Sequence, residues 1–370
     1  MYPAIRALLF QLAPETAHAF TLYALRGTQI FSPARGILER FFAAPPKPVT
    51  AFGLTFKNPV GLAAGYDKDG TVVHGLSALG FGHIEIGTVT PRPQYGNPKP
   101  RVFRLVKDEA IINRMGFPGK GADFVAMSLR GATRWRRSNL LADKGIASPA
   151  TQARNDTILG LNLGKNKDTP LEEAANDYVM LMRAFTPLAD YLAINISSPN
   201  TVGLRRLQGR DMLESLLSKI AKEREQIYKS HGEIHIKNSV NSVVNKIPIL
   251  VKLAPDLSDD ELDDAIGVIL DTGMDGIIAT NTTLAREGLR SKYQTESGGL
   301  SGSPLRVRSE ALLEKIVRRV DGKIPIVSVG GIMSPEDAKR RLDMGAALVQ
   351  VYTGLIYRGP GLVREIVRAV

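Results

Sequence analysis

From about residue 49 onward, short apolar stretches alternate with longer segments that have the apolar spacing of helices. This alternation is typical of a parallel α/β fold. The first strand is not followed by a Gly-x-Gly-x-x-Gly fingerprint, so eight such units favour a closed (β/α)8 TIM barrel over an open dinucleotide-binding sheet. The predicted strands are Val60–Leu62, His83–Gly87, Ile158–Leu163, Tyr191–Ile196, Ile249–Leu253, Gly276–Thr280, Ile326–Val329 and Leu348–Val351.

Residues 1–43 have a different pattern and are predicted to form a two-helix amphipathic extension, separated by Pro45–Pro48 from a barrel domain at 49–370. The break between the two helices is expected at Ala13-Pro14, because proline is tolerated in the first turn of a helix. The pattern alone allows either a helical cap packed on the barrel or an anchor that lies in a membrane interface. The apolar stripe comprises Ile5, Leu8, Leu9, Leu12, Ala17, Phe20 and Ala24.

Three tracts between the predicted strands do not have the pattern of barrel strands or of the helices that alternate with them. Val102–Asn113 has the pattern of a hairpin, within the longest interval between two strands. The basic tract Arg130–Arg137, with Trp135, is interpreted as a solvated helix, and nucleic-acid contact is the alternative. The polar tract Lys229–Lys246 predicts an exposed excursion between a helix and a strand.

Polar residues collect where the predicted strands end, most clearly in Ala193–Thr201. There an apolar run stops at Ile196, and Pro199 prevents a smooth passage into a helix. Because catalytic groups of a (β/α)8 barrel lie at the C-terminal ends of its strands, these polar groups are expected to share one rim. Lysine and asparagine dominate the rim and carboxylates are scarce, which predicts a site for an anion and a hydrogen-bonding ring.

The last two strands end in glycine-containing turns, at Gly330-Gly331 and at Gly354. Barrels commonly bind phosphate after these strands, where glycine lets the backbone amides approach the oxygens. Lys252 alternates with apolar neighbours and is therefore expected to point into the barrel mouth. Two roles are open for Lys252. It could form a structural ion pair, for which Asp67 is the obvious rim carboxylate, or it could stabilise the negative edge of a reduced flavin.

Composition narrows the chemistry. The absence of cysteine excludes disulfides, thiolate zinc sites, iron–sulfur clusters and a cysteine base, and the five histidines show no paired zinc-ligand spacing, so no metal site is predicted. The net charge of +11 favours anionic partners, whether nucleic acid, acidic lipid or an anionic substrate. No apolar run reaches the roughly 18 residues that span a bilayer, and no signal peptide is recognisable, which predicts a reducing, cytosol-like compartment.

Five motifs in this order resemble dihydroorotate dehydrogenase, specifically its membrane-associated, quinone-linked class. The resemblance covers essentially the whole chain, implies a TIM barrel with FMN as cofactor, and disfavours the soluble class, which has cysteine at the position of Ser198. The motifs are Asn58-Pro-Val-Gly-Leu-Ala-Ala-Gly-Tyr-Asp-Lys68, Glu85-Ile-Gly-Thr-Val-Thr-Pro91, Asn113-Arg-Met-Gly-Phe117, Asn195-Ile-Ser-Ser-Pro-Asn-Thr201 and Gly298-Gly-Leu-Ser-Gly302.

The resemblance also implies roles for individual residues. Ser198 would be the base that removes a proton from C5 of dihydroorotate. Residues that would surround FMN are Ala63, Ala64, Gly65, Tyr66, Asp67, Thr88, Asn162, Asn195, Lys252, Thr280, Gly302, Gly331, Tyr352 and Thr353. Residues that would hold dihydroorotate or orotate are Lys68, Asn113, Arg114, Met115, Gly116, Phe117, Asn195, Asn200, Asn281 and Thr282.

With this resemblance, residues 1–43 are interpreted as helices that give a membrane quinone access to the barrel and dock on an anionic membrane surface. The expected location is peripheral, on the cytoplasmic side of a bacterial inner membrane, and no nucleic-acid partner is expected. Two other functions remain as alternatives: another FMN-dependent barrel oxidoreductase, and a basic nucleic-acid-binding protein.

Overall fold

A computed structural model describes residues 2–130, 157–235 and 246–370. The chain begins with three helices, α1 (Tyr2–Gln11), α2 (Pro14–Ile30) and α3 (Ser32–Phe42). The expected break at Pro14 is confirmed, but the prediction of two helices was incomplete. Phe31 has an extended backbone between α2 and α3, and Pro33 lies in the first turn of α3. A continuous apolar stripe concealed this second break.

The predicted barrel is confirmed, with eight parallel strands closed into one sheet. The strands are β3 (Val60–Leu62), β4 (His83–Val89), β7 (Ile158–Leu163), β8 (Tyr191–Asn195), β9 (Ile249–Leu253), β10 (Gly276–Ala279), β12 (Ile326–Val329) and β13 (Leu348–Val351). Around the barrel the strand order is β10-β12-β13-β3-β4-β7-β8-β9. Three predicted strand ends were inexact: β4 extends to Val89, whereas β8 ends at Asn195 and β10 at Ala279.

Helices cover the outside of the barrel, and residues 121–130 are also helical. Outward-facing residues such as Ile84 and Val251 join the helices in the main apolar core, while a second cluster that includes Leu250 and Ile278 fills the barrel interior. The remaining helices are α4 (Val73–Ser77), α5 (Ala174–Phe185), α6 (Arg210–His235), α7 (Asp259–Asp271), α8 (Arg306–Val320), α9 (Pro335–Asp343), α10 (Thr353–Arg358) and α11 (Gly361–Ala369).

Two small sheets accompany the barrel. The hairpin of β1 (Val49–Ala51) and β2 (Leu54–Phe56) packs Phe56 into the interior cluster, where it contacts the ring of His83 at the start of β4. The predicted hairpin at 102–113 is confirmed as β5 (Val102–Leu105) and β6 (Ala110–Asn113). A third strand, β11 (Gly299–Gly302), pairs with β6 and was not predicted.

The N-terminal helices pack on the barrel and also expose apolar side chains. Leu22, Leu25 and Phe42 contact the main core. No helix among residues 2–130, 157–235 and 246–370 has both the length and the apolar character needed to cross a membrane. The exposed apolar side chains of these helices include Leu8, Phe20, Tyr23, Phe31, Ile37 and Phe41.

The two tracts of uncertain role are only partly described. Residues 131–156, which include most of the basic tract and Trp135, lie outside the described residues, as do residues 236–245. The first part of the polar tract, up to His235, belongs to α6, so the expected excursion was wrong for these residues.

Candidate active site

A cavity of about 150 Å³ opens at the C-terminal ends of the barrel strands, and we call it the barrel-mouth cavity. The loops that follow β3, β6, β8, β10, β12 and β13 contribute to its lining, together with β11 and single residues of β4, β6 and β9. The strands are parallel, so their C-terminal ends meet at one end of the barrel. This is why residues more than 200 positions apart in the chain share one site.

The loop after β8 is held by a network of amides and hydroxyls. Asn195 Nδ2 donates to Thr88 Oγ1 (2.9 Å) and to Asn162 Oδ1 (3.0 Å), while Asn195 Oδ1 accepts from Asn281 Nδ2 (3.2 Å). Ser198 follows Asn195 on this loop and lines the cavity with 5% of its surface exposed. The network therefore orients the loop that carries the predicted base.

The hydroxyl of Ser198 accepts a hydrogen bond from the backbone N–H of Asn200 (3.2 Å). Asn200 Nδ2 in turn donates to Asn113 Oδ1 (3.0 Å). Asn113 ends β6, so this contact joins the sheet of β5, β6 and β11 to the loop after β8. Nearby Thr201 is buried, and its hydroxyl has no hydrogen-bond partner among the described residues.

Arg205 joins the loops that follow β8, β9 and β10. Its Nε donates to the carbonyl oxygen of Ser197 (3.1 Å) and its Nη2 to that of Thr282 (2.8 Å). Its Nη1 pairs with Asp256 Oδ2 (2.9 Å), on the loop after β9. One guanidinium thus holds the backbone at Thr282, next to Asn281 in the chain, and at Ser197, whose hydroxyl accepts from Asn281 Nδ2 (3.0 Å).

A buried ion pair lies at the floor of the cavity. Lys252 Nζ is 3.4 Å from Glu85 Oε1, inside the barrel. Burial acts to raise the pKa of Glu85, but the charge of Lys252 and the donated amide hydrogen bonds outweigh it and hold this pKa below its ordinary value. The sequence-based suggestion of Asp67 as the partner was therefore wrong. The Asp67 carboxylate accepts the backbone N–H groups of Thr71 and Val72 instead.

Glycines form the opposite end of the cavity. Gly331 has φ +72°, and a Cβ there would lie 2.4 Å from the backbone of Arg306. Gly302 has φ +95° and an equally close neighbour in the carbonyl of Glu109. Ser301 and Thr353 exchange a hydroxyl hydrogen bond of 2.9 Å between them. This end therefore presents backbone and two hydroxyls, which suits an oxyanion such as phosphate.

A second cavity, of about 380 Å³, lies between the N-terminal helices and the barrel, and we call it the helix cavity. Side chains of α1, α2 and α3 line one side of it, including Leu9, Ala17 and Phe20. Tyr66 lies on the barrel side, where its ring contacts His18 edge to face at 4.9 Å. The residues that line both cavities are Lys68, Asn113, Met115, Ser301 and Tyr352.

Two titratable groups near this shared wall have altered pKa values. Burial, with a contribution from the charge of Lys68, lowers the pKa of His18 to about 4. Burial likewise lowers the pKa of Lys68 to about 8, and its ammonium donates to the carbonyl of Gly65 (2.6 Å). His18 is therefore neutral at neutral pH, whereas Lys68 is charged there and can lose its charge within two pH units.

The family model for dihydroorotate dehydrogenase matches residues 48–370. The chain belongs to the dihydroorotate dehydrogenase family. Dihydroorotate dehydrogenases are generally flavin-dependent enzymes. Of the relatives, "Dihydroorotate dehydrogenase (quinone)" of Halorhodospira halophila is 45% identical, with 100% of this chain and 97% of the relative covered. The protein of the same name from Escherichia fergusonii is also 45% identical, with 99% and 98% covered.

Solved structures of dihydroorotate dehydrogenases have the same fold. The enzyme of Eimeria tenella in complex with ferulenol has a TM-score of 0.81 and 36% identity to this chain, and the match covers 98% of this chain and 93% of that one. The ligand-free enzyme of the same organism has a TM-score of 0.76 and 40% identity, with 89% and 87% covered.

Most of the predicted site residues line the barrel-mouth cavity, including Ser198 and Lys252. Four do not. Tyr66 faces the helix cavity, Asp67 caps a backbone turn, and Asn162 contacts the cavity only through Thr88 and Asn195. Arg114 points away from the cavity and pairs with Glu296 (2.5 Å).

Three polar residues in or beneath the barrel-mouth cavity were not identified from the sequence. Gln350 and Ser301 line the cavity, and Glu85 lies beneath it. Glu85 and Gln350 each stand between two apolar residues of a barrel strand, as Lys252 does. The same period-two pattern that placed Lys252 inside the barrel could have placed both of them there.

Proposed function

We propose that this chain oxidises dihydroorotate to orotate in pyrimidine biosynthesis, with bound FMN as cofactor and a membrane quinone as final electron acceptor. One observation carries the proposal. Ser198, the asparagine side chains and Lys252 face one cavity, which shares a wall with a largely apolar cavity under the N-terminal helices. The first cavity suits a polar, anionic ring, and the second suits an apolar one. The names of the relatives support both assignments.

The barrel-mouth cavity has features that fit FMN. Gln350 Oε1 is buried without a hydrogen-bond partner among the described residues, so it can accept from a ring N–H. Lys252 supplies positive charge at the floor, and the glycine end suits the phosphate. When bound, FMN supplies the acceptor for the hydride that leaves C6 of dihydroorotate. The residues assigned to hold it are Ala63, Ala64, Gly65, Thr88, Asn195, Lys252, Thr280, Gly302, Gly331, Tyr352 and Thr353.

Dihydroorotate is a cyclic amide with a carboxylate, and the remaining cavity residues complement it. The ammonium of Lys68 matches the carboxylate. Side-chain amides offer both donors and acceptors, so they can pair with ring N–H and C=O groups alike. Among the proposed substrate residues, Asn113, Asn200 and Asn281 supply these amides. Thr282, Met115, Gly116 and Phe117 complete the lining.

Ser198 takes the proton from C5 in this proposal. A serine hydroxyl is a weak base at its ordinary pKa, so the proton must pass onward as it is taken. The cavity lining contains no carboxylate and no histidine among the described residues. The buried hydroxyl of Thr201, three residues after Ser198, is a suitable next acceptor, directly or through a water molecule.

The helix cavity is assigned to the quinone, and the exposed apolar side chains around it to the membrane surface. Helices with large apolar groups and basic side chains lie in the headgroup layer. We place the protein on the cytoplasmic face of a bacterial inner membrane, as a peripheral protein.

A visible absorption spectrum tests the proposed reaction. Purified protein should show the bands of an oxidised flavin, and these bands should bleach when dihydroorotate is added without oxygen and return when a quinone is added. Release and chromatography of the bound group should identify FMN. Protein that stays colourless after incubation with FMN contradicts the proposal, as does a flavin that dihydroorotate does not bleach.

Vesicle binding tests the membrane assignment separately. Leu8, Phe31 and Phe41 are exposed, and none of them lines the helix cavity. A variant with serine at these three positions should float less with anionic vesicles, while its turnover with a water-soluble quinone analogue stays at the wild-type rate. Equal flotation of the variant and the wild type contradicts membrane docking through this surface.

A further inference from the structure

Glu85 lies inside the barrel, directly beneath the barrel-mouth cavity, with 1% of its surface exposed. Four other barrel strands, β7, β8, β9 and β13, each contribute a polar neighbour. Its Oε1 accepts from Asn162 Nδ2 (2.8 Å) and lies 3.4 Å from Lys252 Nζ. Its Oε2 accepts from Gln350 Nε2 (2.9 Å) and from the hydroxyl of Tyr191 (3.2 Å). All four of these groups are hydrogen-bond donors to the carboxylate.

The charges around Glu85 reduce to one ion pair. Burial, followed by the charge of Glu85, raises the pKa of Tyr191 well above its ordinary value, so this phenol stays neutral. Burial lowers the pKa of His83 to about 4, so the imidazole is neutral at neutral pH. Lys252 is then the cation that faces Glu85, and no other carboxylate pairs with it in the described part of the chain.

Lys252 lines the cavity and also contacts Glu85, so one ammonium lies between the floor of the barrel and the space that a ligand would fill. We propose that Glu85 is a positioning residue, the counter-ion that holds the Lys252 ammonium at the floor and directed at the cofactor, and that it thereby sets the reduction potential of the flavin. This inference rests on the proposed function. A buried ammonium that loses its carboxylate is strongly destabilised at its place on the floor. Less positive charge then faces the reduced flavin.

Glu85→Gln tests the proposal in the flavin-loaded enzyme. Glutamine keeps the size of the side chain but replaces its charged carboxylate by a neutral amide. The midpoint potential, measured by spectroelectrochemistry with reference dyes, should become more negative, with about a tenfold lower ratio of reduced to oxidised flavin at a fixed potential, or ~30 mV for a two-electron couple. Removal of a negative charge that acted directly on the flavin would raise the potential. An unchanged or higher potential therefore overturns the proposal.

A double-mutant cycle separates an effect through Lys252 from general damage to the barrel floor. In a Lys252→Met background, adding Glu85→Gln should change the ratio of reduced to oxidised flavin less than twofold, because the group through which Glu85 acts is absent. The same fall in potential in both backgrounds contradicts the positioning role. Glu85→Asp keeps the charge with a shorter reach and should shift the potential in the same direction as Glu85→Gln, but by less.

Flavin content per chain shows whether each variant folds and binds the cofactor. If Glu85→Gln binds no flavin, Glu85→Asp decides, and a wild-type potential in that variant overturns the proposal. Wild-type protein that binds no flavin contradicts the proposed function instead. Wild-type protein with flavin whose potential does not depend on Glu85 contradicts this inference alone.

Discussion

The barrel-mouth cavity and the helix cavity share a wall of five residues, yet their linings have opposite chemistry. The first is formed by strand ends that bring amides, hydroxyls and two lysines to one point. The second lies between amphipathic helices and the barrel, and its lining is mostly aliphatic and aromatic. Hydrogen bonds hold polar side chains of the first cavity in place, most extensively Asn195, which makes three to neighbouring side chains. The first cavity can therefore select a ligand by its hydrogen-bonding groups, whereas the second can select one only by its shape and apolar character.

This contrast predicts that substitutions on the two sides of the wall will affect different halves of the reaction. Reduction of the flavin by dihydroorotate should depend on the barrel-mouth cavity. Its reoxidation by quinone should depend on the helix cavity. The two rates can be measured separately by stopped-flow absorbance.

The largest effect is expected for Ser198→Ala. Loss of a general base typically slows proton transfer by 10²–10⁴-fold, so flavin reduction by dihydroorotate should be ~1000-fold slower. Reoxidation of chemically reduced flavin by quinone should keep its wild-type rate, and flavin content should be unchanged. If reduction proceeds at the wild-type rate, another group is the base.

Arg205→Met should have the next largest effect, although Arg205 does not line the cavity. The substitution removes the donors to the carbonyls of Ser197 and Thr282, and a small displacement of the catalytic loop can slow a reaction substantially. Flavin reduction should slow by ~10–100-fold. Arg206→Met, at an exposed neighbouring position, is the matched control. Equal reduction rates in the two variants contradict a role for the Arg205 contacts.

The titration of Lys68 sharpens the comparison at the shared wall. Burial lowers the pKa of Lys68 to about 8, so its charge is present below this pH and is lost above it. The affinity for orotate can be measured from the change that orotate causes in the flavin spectrum. This affinity should be about tenfold weaker at about pH 9 than at about pH 7. In Lys68→Arg the side chain stays charged, and the affinity should vary less over this range. A wild-type affinity that does not change with pH excludes Lys68 as the carboxylate partner.

The smallest effect is expected on the helix side. Ala17 lines the helix cavity, and a phenyl group there would fill part of its volume. Ala17→Phe should raise KM for the quinone several-fold and leave flavin reduction unchanged. Ala19→Phe adds the same group at an exposed position of the same helix and serves as the control. Equal KM values in the two variants contradict quinone binding in this cavity.

The barrel and most of its rim could be predicted from the sequence because two patterns determine them: the alternation of strand and helix segments along the chain, and the alternation of inward and outward residues within each strand. Alternation of strands and helices gave the topology, and the topology brings all strand ends together, so Ser198 and Lys252 could be assigned to one site. Glu85 was missed because the prediction used only the ends of the strands, whereas Glu85 lies one layer deeper in β4. Its position was nevertheless encoded in the alternation of that strand.

The helix cavity was less predictable. Its shape depends on how α1, α2 and α3 pack on the barrel, and apolar stripes specify a buried face without specifying its partner. The strand β11 was missed for a related reason, because it is determined by pairing with residues far away in the chain, such as that of Gly302 with Ala110.

The close packing of the N-terminal helices has a consequence for the whole molecule. Phe42 contributes to the main core, and its carbonyl lies so near Gly80 that no Cβ would fit there. The helices therefore pack directly on the barrel. A surface that binds these helices would also orient the barrel axis. An apolar electron acceptor would then reach the shared wall from a single direction, by lateral diffusion within that surface.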